Sequence, residues 1–224
     1  MQRILDVFVR GAIVSCLLCL PAMAAGPING ELGTAWWAND FNAELGSESA
    51  SSDAGAPGFR GELWVFTDYG VRASTFGSDP DGFEDKTTYT SVDLMWKAFA
   101  PTENNYVAVG LGWEDADLAG IDTAGARVSV EGQVSIVKVV HAYGQATYLP
   151  EMDDSDVSPD LTFEDVDGHE LEVGIAWNAA PMLNVRAAYR QTVVDFTQVD
   201  ALLASETDGS TESKGLLVGV GMRF

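Results

Sequence analysis

The chain has little of what proteins commonly use to build chemical sites. It has only two cysteines, Cys16 and Cys19, and only two histidines, His141 and His169. Basic residues are scarce, with 12 Lys and Arg against 34 Asp and Glu. No apolar run reaches the roughly 20 residues of a transmembrane helix. These shortages argue against a disulfide framework, a thiolate metal centre, a nucleic-acid partner and a helical membrane protein.

The beginning of the chain has the pattern of a secretory signal peptide. Two arginines precede an apolar run over residues 11–20, and Ala-Met-Ala at 22–24 is a small-residue cleavage pattern. Cys16 also ends a match to a lipoprotein lipobox, but the apolar stretch before it is short. We predict a cleaved signal over 1–24 and a single domain over 25–224. Removing the signal leaves ten basic and 33 acidic residues, a net charge of about −23.

The C-terminal end alternates strictly between two kinds of residue. One face of the final strand carries Leu216, Val218, Val220, Met222 and Phe224, and the other carries Leu217, Gly219, Gly221 and Arg223. This is typical of a strand in a wall that is apolar on one side only. It resembles the closing strand of bacterial outer-membrane β-barrels, which implies that the first face is an assembly signal for the barrel assembly machinery.

The same period of two predicts ten strands along the mature chain. They run from Asn29 to Asn39, Phe59 to Thr67, Val71 to Gly77, Thr87 to Phe99, Asn105 to Glu114, Ala126 to Ser135, Val139 to Leu149, His169 to Trp177, Leu183 to Val194 and Gly215 to Phe224. The turn near Val137 and Lys138 has no Gly or Pro to mark it, so eight strands is the alternative.

Short and long connections alternate between these strands. The turns at 68–70, 101–104, 137–138 and 178–182 are short, whereas 40–58, 78–86, 115–125, 150–168 and 195–214 are predicted as long, acidic loops. Outer-membrane barrels have short periplasmic turns and long extracellular loops. The sequence therefore predicts an all-β, closed antiparallel transmembrane barrel in the outer membrane of a Gram-negative cell, surrounded by lipid and lipopolysaccharide.

Charge separates the two predicted faces of the wall. The outward face is apolar: Leu63, Val65, Val92, Leu94, Trp96, Val107, Val109, Leu111, Trp113, Val128, Val130, Val134, Leu171, Val173, Ile175, Trp177, Val185 and Tyr189. The inward face holds seven acids and seven bases: Glu31, Arg60, Glu62, Arg72, Asp93, Lys97, Glu114, Arg127, Glu131, Glu170, Glu172, Arg186, Arg190 and Arg223. Buried charges persist when they are paired, so we predict a charge-paired, closed lumen. The other mature-chain bases, Lys86, Lys138 and Lys214, are predicted in connections.

One hairpin makes the predicted pairing specific. A turn centred near Ala180 sets Glu170 opposite Arg190, with Glu172 and Arg186 close by.

Tryptophans support the membrane interpretation. Trp96 and Trp177 are predicted at the short-turn ends of their strands and Trp36 and Trp113 at the long-loop ends, as two interfacial girdles require. The inward-facing tryptophans, Trp37 and Trp64, are predicted to fill the lumen.

A family resemblance covers roughly the last 80 residues. Tyr143-Gly144, Tyr148, Pro150, Gly174, Trp177, Val185, Tyr189-Arg190 and the Phe224 ending resemble the YfaZ family of small outer-membrane proteins, although the acidic loops here are longer. The chain is more broadly similar to the OmpX and OmpA membrane barrels. The resemblance implies an outer-membrane barrel with no established enzymatic chemistry.

An enzyme is the less favoured alternative. His141 is followed two positions later by Tyr143 rather than by a serine, which argues against a lipid-A deacylase. Asp167-Gly168-His169, taken with the aspartates at 79 and 81 or at 115 and 117, resembles the Asp-His and paired-Asp arrangement of omptin proteases. The chain is much shorter than those proteases.

Two acidic clusters are the remaining candidate sites. One comprises Asp79, Asp81, Glu84 and Asp85, and the other Glu151, Asp153, Asp154, Asp156, Asp160, Glu164, Asp165 and Asp167. Such oxygen ligands collect Ca²⁺ or Mg²⁺ weakly, but neither cluster matches an EF-hand loop, and solvated loops are the simpler interpretation. We expect no cofactor.

These patterns favour a structural or surface-interaction barrel over a narrow passive channel, and a channel over an outer-rim hydrolase. The sequence identifies no extracellular partner.

Overall fold

The computed structural model describes residues 28–66, 68–80, 86–102, 104–118, 120–158, 161–200 and 205–224. The predicted signal peptide lies outside the described residues. The chain forms eleven strands in this part: β1 (Ile28–Leu45), β2 (Glu48–Val65), β3 (Tyr69–Ser78), β4 (Thr87–Thr102), β5 (Asn105–Leu118), β6 (Asp122–Val137), β7 (Val140–Leu149), β8 (Ser155–Ser158), β9 (Leu161–Ala180), β10 (Leu183–Asp200) and β11 (Ser205–Arg223). Among the described residues there is no helix long and apolar enough to cross a membrane.

Ten of these strands close into an antiparallel barrel within the described residues. Each strand pairs with the next along the chain, and β7 pairs with β9 because β8 is a short addition to the end of β9. The barrel closes where β11 pairs with β1, from Glu31 opposite Arg223 to Leu45 opposite Gly209. The predicted fold class and strand number are therefore confirmed.

The two rims of the barrel differ chiefly in how far the strands extend, so the predicted alternation is confirmed for the short turns but not for most of the long loops. At the short-turn end, β6 and β7 are joined only by Lys138 and Val139, so the weakest predicted turn is confirmed. At the opposite end, called here the tall end, the strands continue well beyond the predicted boundaries.

The prediction of long loops at 40–58, 115–125, 150–168 and 195–214 is wrong, because strands occupy most of each range. Strands β1 and β2 run to within two residues of each other, joined by Gly46 and Ser47, and Gly46 has the positive φ of 58° that a tight turn requires. Lys214 accordingly lies in β11 rather than in a connection. The apolar alternation ends where the outer face turns polar, but the backbone hydrogen-bond ladder continues beyond that point.

Candidate functional site in the barrel lumen

The interior of the barrel is filled in three layers. From the short-turn end these are a mouth lined by polar and aromatic side chains, a charged layer, and an apolar outer plug towards the tall end. The charged layer consists of Arg60, Glu62, Arg72, Asp93, Glu114, Arg127, Glu131, Glu170, Glu172 and Arg190. The outer plug consists of Trp37, Ala56, Phe76, Tyr89, Ala116, Leu118, Leu149, Met152, Phe163, Val166, Val194 and Phe196, all buried.

Two arginines organise the part of the charged layer nearer the mouth. Arg72 donates to Glu131 and lies 3.3 Å from Glu62, and it also donates to Gln145 at 2.9 Å. Arg60 donates to Glu172 at 3.0 Å and lies 3.8 Å from Glu131. Each carboxylate therefore meets at least one guanidinium, as buried charges require.

Two further arginines organise the part nearer the outer plug. Arg127 contacts three carboxylates: Asp93 at 3.1 Å, Glu114 at 2.6 Å and Glu170 at 2.8 Å. Arg190 donates to Glu170 at 2.6 Å. These partners come from adjacent or next-adjacent strands, whereas the contacts of Arg60 with Glu172 and of Arg72 with Glu131 join distant strands and cross the space that a channel needs.

The predicted register of the Glu170–Arg190 hairpin is wrong by two residues. Glu172 lies directly opposite Arg190, and Glu170 lies opposite Thr192, because the turn falls at 181–182 with an irregularity at Leu183. Arg190 still reaches both acids, since Glu172 is 3.6 Å from it.

The other predicted lumen residues lie nearer the mouth. Arg186 pairs with Glu31 at 2.9 Å. Lys97 lies over the rings of Trp64 and Tyr106, 4.2 and 4.5 Å from their centroids. Half-buried Arg223 lines the mouth cavity with Glu31.

The mouth holds a cavity of about 80 Å³ and a chain of polar contacts. His141, 2% exposed, lies 3.0 Å from Ser135 Oγ through Nδ1 and 3.0 Å from Asn178 Nδ2 through Nε2. Asn184 donates to Asn178 at 3.0 Å. These contacts satisfy buried polar groups at the ends of four strands.

The outer plug is the largest feature that the sequence patterns missed. Trp37 packs edge-on against Phe76 at 6.1 Å, and Phe163 against Phe196 at 5.0 Å. Arg190 joins the plug to the charged layer, with its guanidinium 4.6 Å from the Phe76 ring centroid. Both tryptophans predicted as lumen filler are buried, but they lie at opposite ends of the lumen: Trp37 in the plug and Trp64 in the mouth. Phe163 and Phe196 fall in ranges predicted as loops. Continued inward parity from Arg190 would have found Phe196, but the irregularity of β9 at Asp165 shifts the parity before Phe163.

The outer wall carries two rings of exposed aromatic side chains. Nearer the short-turn end are Phe66, Tyr69, Trp96, Phe99 and Trp177, and nearer the tall end are Trp36, Phe59, Trp113, Tyr148 and Tyr189. The separation of the two rings can be measured along β9, where Trp177 of the first ring is eight residues from His169, which pairs with Tyr148 of the second ring. That is about 27 Å along the strand, or roughly 20 Å across a membrane at a tilt of about 40°. An outer-membrane barrel has an apolar band of about 25 Å.

The final strand presents its predicted apolar face to the outside. Leu216, Val218, Val220 and Met222 are each about half exposed or more. Phe224 is half-buried, and its N–H donates to the Gly30 carbonyl at 3.0 Å, extending the β1–β11 seam.

The omptin-like arrangement is not assembled in the lumen. Glu170 points inward, so His169 and Asp167 point outward, where His169 has Tyr148 and Val193 as its strand neighbours. Asp115 and Asp117 also lie on the outer face of their strand, and Asp81 falls outside the described residues.

The acidic side chains of both clusters that the structure describes lie at the tall end and are mostly exposed. The side chains of Asp79, Glu151, Asp153, Asp154 and Glu164 are exposed. Within the residues that the structure describes, no group of three or more His, Cys, Asp or Glu side chains is arranged to hold a metal ion. Asp160, Glu84 and Asp85 are outside those residues.

Comparison with known proteins identifies the fold. No family model and no curated protein matches the chain. The structure is similar to outer membrane protease OmpT from Escherichia coli, with 10% sequence identity, 88% of this chain and 96% of that chain covered, and a TM-score of 0.54. It also matches Neisserial surface protein A (13% identity, 89% and 98% covered, TM-score 0.39) and Ail of Yersinia pestis (10% identity, 87% and 99% covered, TM-score 0.31). At these identities the likeness shows the fold alone, that of outer-membrane β-barrels.

Proposed function

We propose that this chain is an outer-membrane barrel with a sealed lumen, acting as a structural or surface-interaction protein rather than as a conduit. The location is supported by the signal pattern over residues 1–24, the two aromatic rings and the exposed apolar band between them.

The observation that supports a sealed lumen is that two successive layers of side chains fill it. A charged layer of cross-barrel ion pairs lies directly beneath the apolar outer plug, with Arg190 contacting both. A solute has to break buried ion pairs and then displace packed aromatic rings, and both steps are costly. A narrow channel is therefore the second candidate function. A hydrolase is the third, because His169 points outward from the lumen.

The tall end is the surface that we propose for interaction. Its strands extend past the outer aromatic ring, and its exposed side chains are rich in acids, including Glu44, Glu48 and Asp53. We propose that it faces the cell exterior, because its strands extend beyond the outer aromatic ring, whereas the opposite rim carries the short turns that outer-membrane barrels place in the periplasm. Lipopolysaccharide bridged by Ca²⁺ or Mg²⁺ is the proposed neighbour of its acidic clusters, and the barrel assembly machinery is the proposed reader of Phe224.

We also propose kinship with the YfaZ family. The residues that support it lie in or directly after β7, β9, β10 and β11, which are neighbouring strands, so the resemblance follows one continuous part of the wall.

Solute uptake into proteoliposomes tests the sealed lumen. Vesicles that contain the refolded protein should swell no faster in a small sugar than empty vesicles, while vesicles with a general porin swell at once. Swelling that rises with the amount of this protein contradicts the proposal. Separation of inner and outer membranes on a density gradient tests the location, and recovery with the inner membrane contradicts it.

A further inference from the structure

Arg127 is surrounded by more carboxylates than one guanidinium can neutralise. It contacts Asp93, Glu114 and Glu170 within 3.1 Å, and all three acids are at most 7% exposed. A buried negative charge without a matching positive charge is unstable, so the excess must be removed by a cation or by a proton.

Glu114 is the least compensated of the three acids. Glu170 has a second guanidinium, Arg190, at 2.6 Å. Asp93 lies directly opposite Arg72 on the neighbouring strand. Glu114 lies opposite Ser91 and Gly125, both uncharged, so Arg127 is its one ion-pair partner among the described residues.

The hydrogen bonding of Glu114 is incomplete in the same place. Its Oε2 accepts from Arg127, but its Oε1 is fully buried and has no hydrogen-bond partner among the described residues. Both oxygens of Asp93 are also buried without a hydrogen-bond partner there, because the 3.1 Å contact with Arg127 is not aligned as a hydrogen bond. Asp93 pairs with Gly112, two positions before Glu114 on the same face, so the two acids are diagonal neighbours within reach of each other.

We propose that the lumen contains a proton-binding site, with Glu114 carrying a proton at neutral pH and Asp93 supplying the acceptor for it. The proton removes one negative charge and turns two unpartnered oxygens into a donor and an acceptor. The ligand is a proton rather than a metal ion, since two carboxylates whose remaining neighbours are guanidinium groups form a poor cation site. The charged and titratable groups that face the pair from the surrounding strands are Arg60, Arg72, Tyr89, Arg127, Glu170 and Arg190.

The site makes the barrel sensitive to alkaline conditions. The unfolded chain releases the Glu114 proton in the ordinary range of a glutamate, whereas the folded barrel keeps it at neutral pH. Folding above the ordinary glutamate range therefore takes up a proton, and stability falls as the pH rises from that range until the folded barrel also releases the proton. The resulting pair of like charges loosens the charged layer.

Infrared spectroscopy of the refolded barrel tests the site directly. The parent protein should show the carbonyl stretch of a protonated carboxylic acid at neutral pH, and labelling glutamate with ¹³C should shift that band. Glu114→Gln should remove it, and Glu170→Gln should keep it. A parent spectrum without the band, or a band that survives Glu114→Gln, overturns the proposal.

Thermal unfolding supplies an independent readout. Glu114→Gln imitates the protonated acid without taking up a proton on folding, so it should raise the melting temperature at neutral pH and remove the decline that begins above the ordinary glutamate range. Glu170→Gln, an equally buried control, should lower it by roughly 10 °C, because it removes the charge that two arginines share. Equal losses in the two variants contradict a protonated Glu114.

The proton site rests on the sealed lumen of the proposed function, but the two fail separately. Solute passage through the parent barrel contradicts the sealed lumen, whatever the infrared band shows. A sealed barrel without the band overturns the proton site alone.

Discussion

Replacing Arg190 by Gln should be one of the most damaging single changes in the lumen. The guanidinium donates to Glu170 at 2.6 Å and lies 3.6 Å from Glu172. It also covers the rings of Phe76 and Trp37, at 4.6 and 5.2 Å from their centroids. One substitution therefore removes contacts in both the charged layer and the outer plug.

The expected loss follows from the burial of these groups. Removing one partner of a buried ion pair costs about 3–5 kcal/mol, because the remaining charge is left without compensation. Contact between a desolvated cation and an aromatic ring contributes up to about 2 kcal/mol. The two effects share one side chain and do not add, so we expect a loss of about 3–5 kcal/mol in the free energy of unfolding.

Urea unfolding of the barrel in phospholipid vesicles, followed by tryptophan fluorescence, measures this loss. The matched control is Lys214→Gln, which removes an ion pair with Glu212 of the same 2.6 Å length on the outer surface. The control should unfold like the parent, since exposed pairs contribute little. Equal unfolding curves for the Arg190 and Lys214 variants would refute the buried network.

Three further changes probe the wall, its seam and its tall end. Deleting Phe224 should lower the yield of assembled, heat-modifiable barrel, because its backbone extends the β1–β11 ladder and its side chain ends the proposed assembly signal. Equal yields for this deletion and for the Lys214→Gln control would contradict this prediction. Gly215→Val should prevent closure, since a Cβ there would lie 1.8 Å from the Ala38 carbonyl oxygen, and a normal heat-modifiable band on a gel contradicts it. Asp195 lies beyond the outer aromatic ring, and local desolvation and the facing Asp167 carboxylate raise its pKa. Its ionisation therefore destabilises the fold, so Asp195→Asn should raise the melting temperature at neutral pH but should not raise it at a pH below the ordinary aspartate range.

The seam prediction has an internal control. Gly132→Val introduces the same side chain where the nearest heavy atom to a Cβ is the Tyr106 carbonyl oxygen at 3.8 Å. This variant should close and migrate like the parent, so a failure of both variants would mean that added bulk, rather than the approach of β1 to β11, prevents assembly.

The sequence predicts the wall of this barrel better than its contents. Alternation identifies all ten strands because membrane and lumen impose opposite demands on successive residues, as in Val218 and Leu217. It fails at the tall end, where both faces of residues 48–57 are small or polar and only the hydrogen-bond ladder defines a strand. Strand length is therefore set there by pairing, which no single segment encodes.

The sequence predicts which side chains point into the lumen but not which of them pair with each other. Inward parity places charged residues such as Arg127 and Glu170 inside, but which of them touch depends on turns and on contacts across the barrel. A two-residue shift at the turn before Leu183 moves Glu172, rather than Glu170, opposite Arg190. The long reach of arginine preserves the Glu170 contact despite the shift.

Single-channel recording in planar bilayers tests the sealed lumen most directly. The parent protein should insert without steps of conductance, whereas a variant carrying Trp37→Ala, Phe76→Ala and Arg190→Ala, which removes the junction of the two layers, should show discrete openings in the same lipid. Regular conductance steps from the parent barrel, equal to those of the triple variant, would contradict the account, because ions would then cross a lumen that the charged layer and the outer plug are proposed to close.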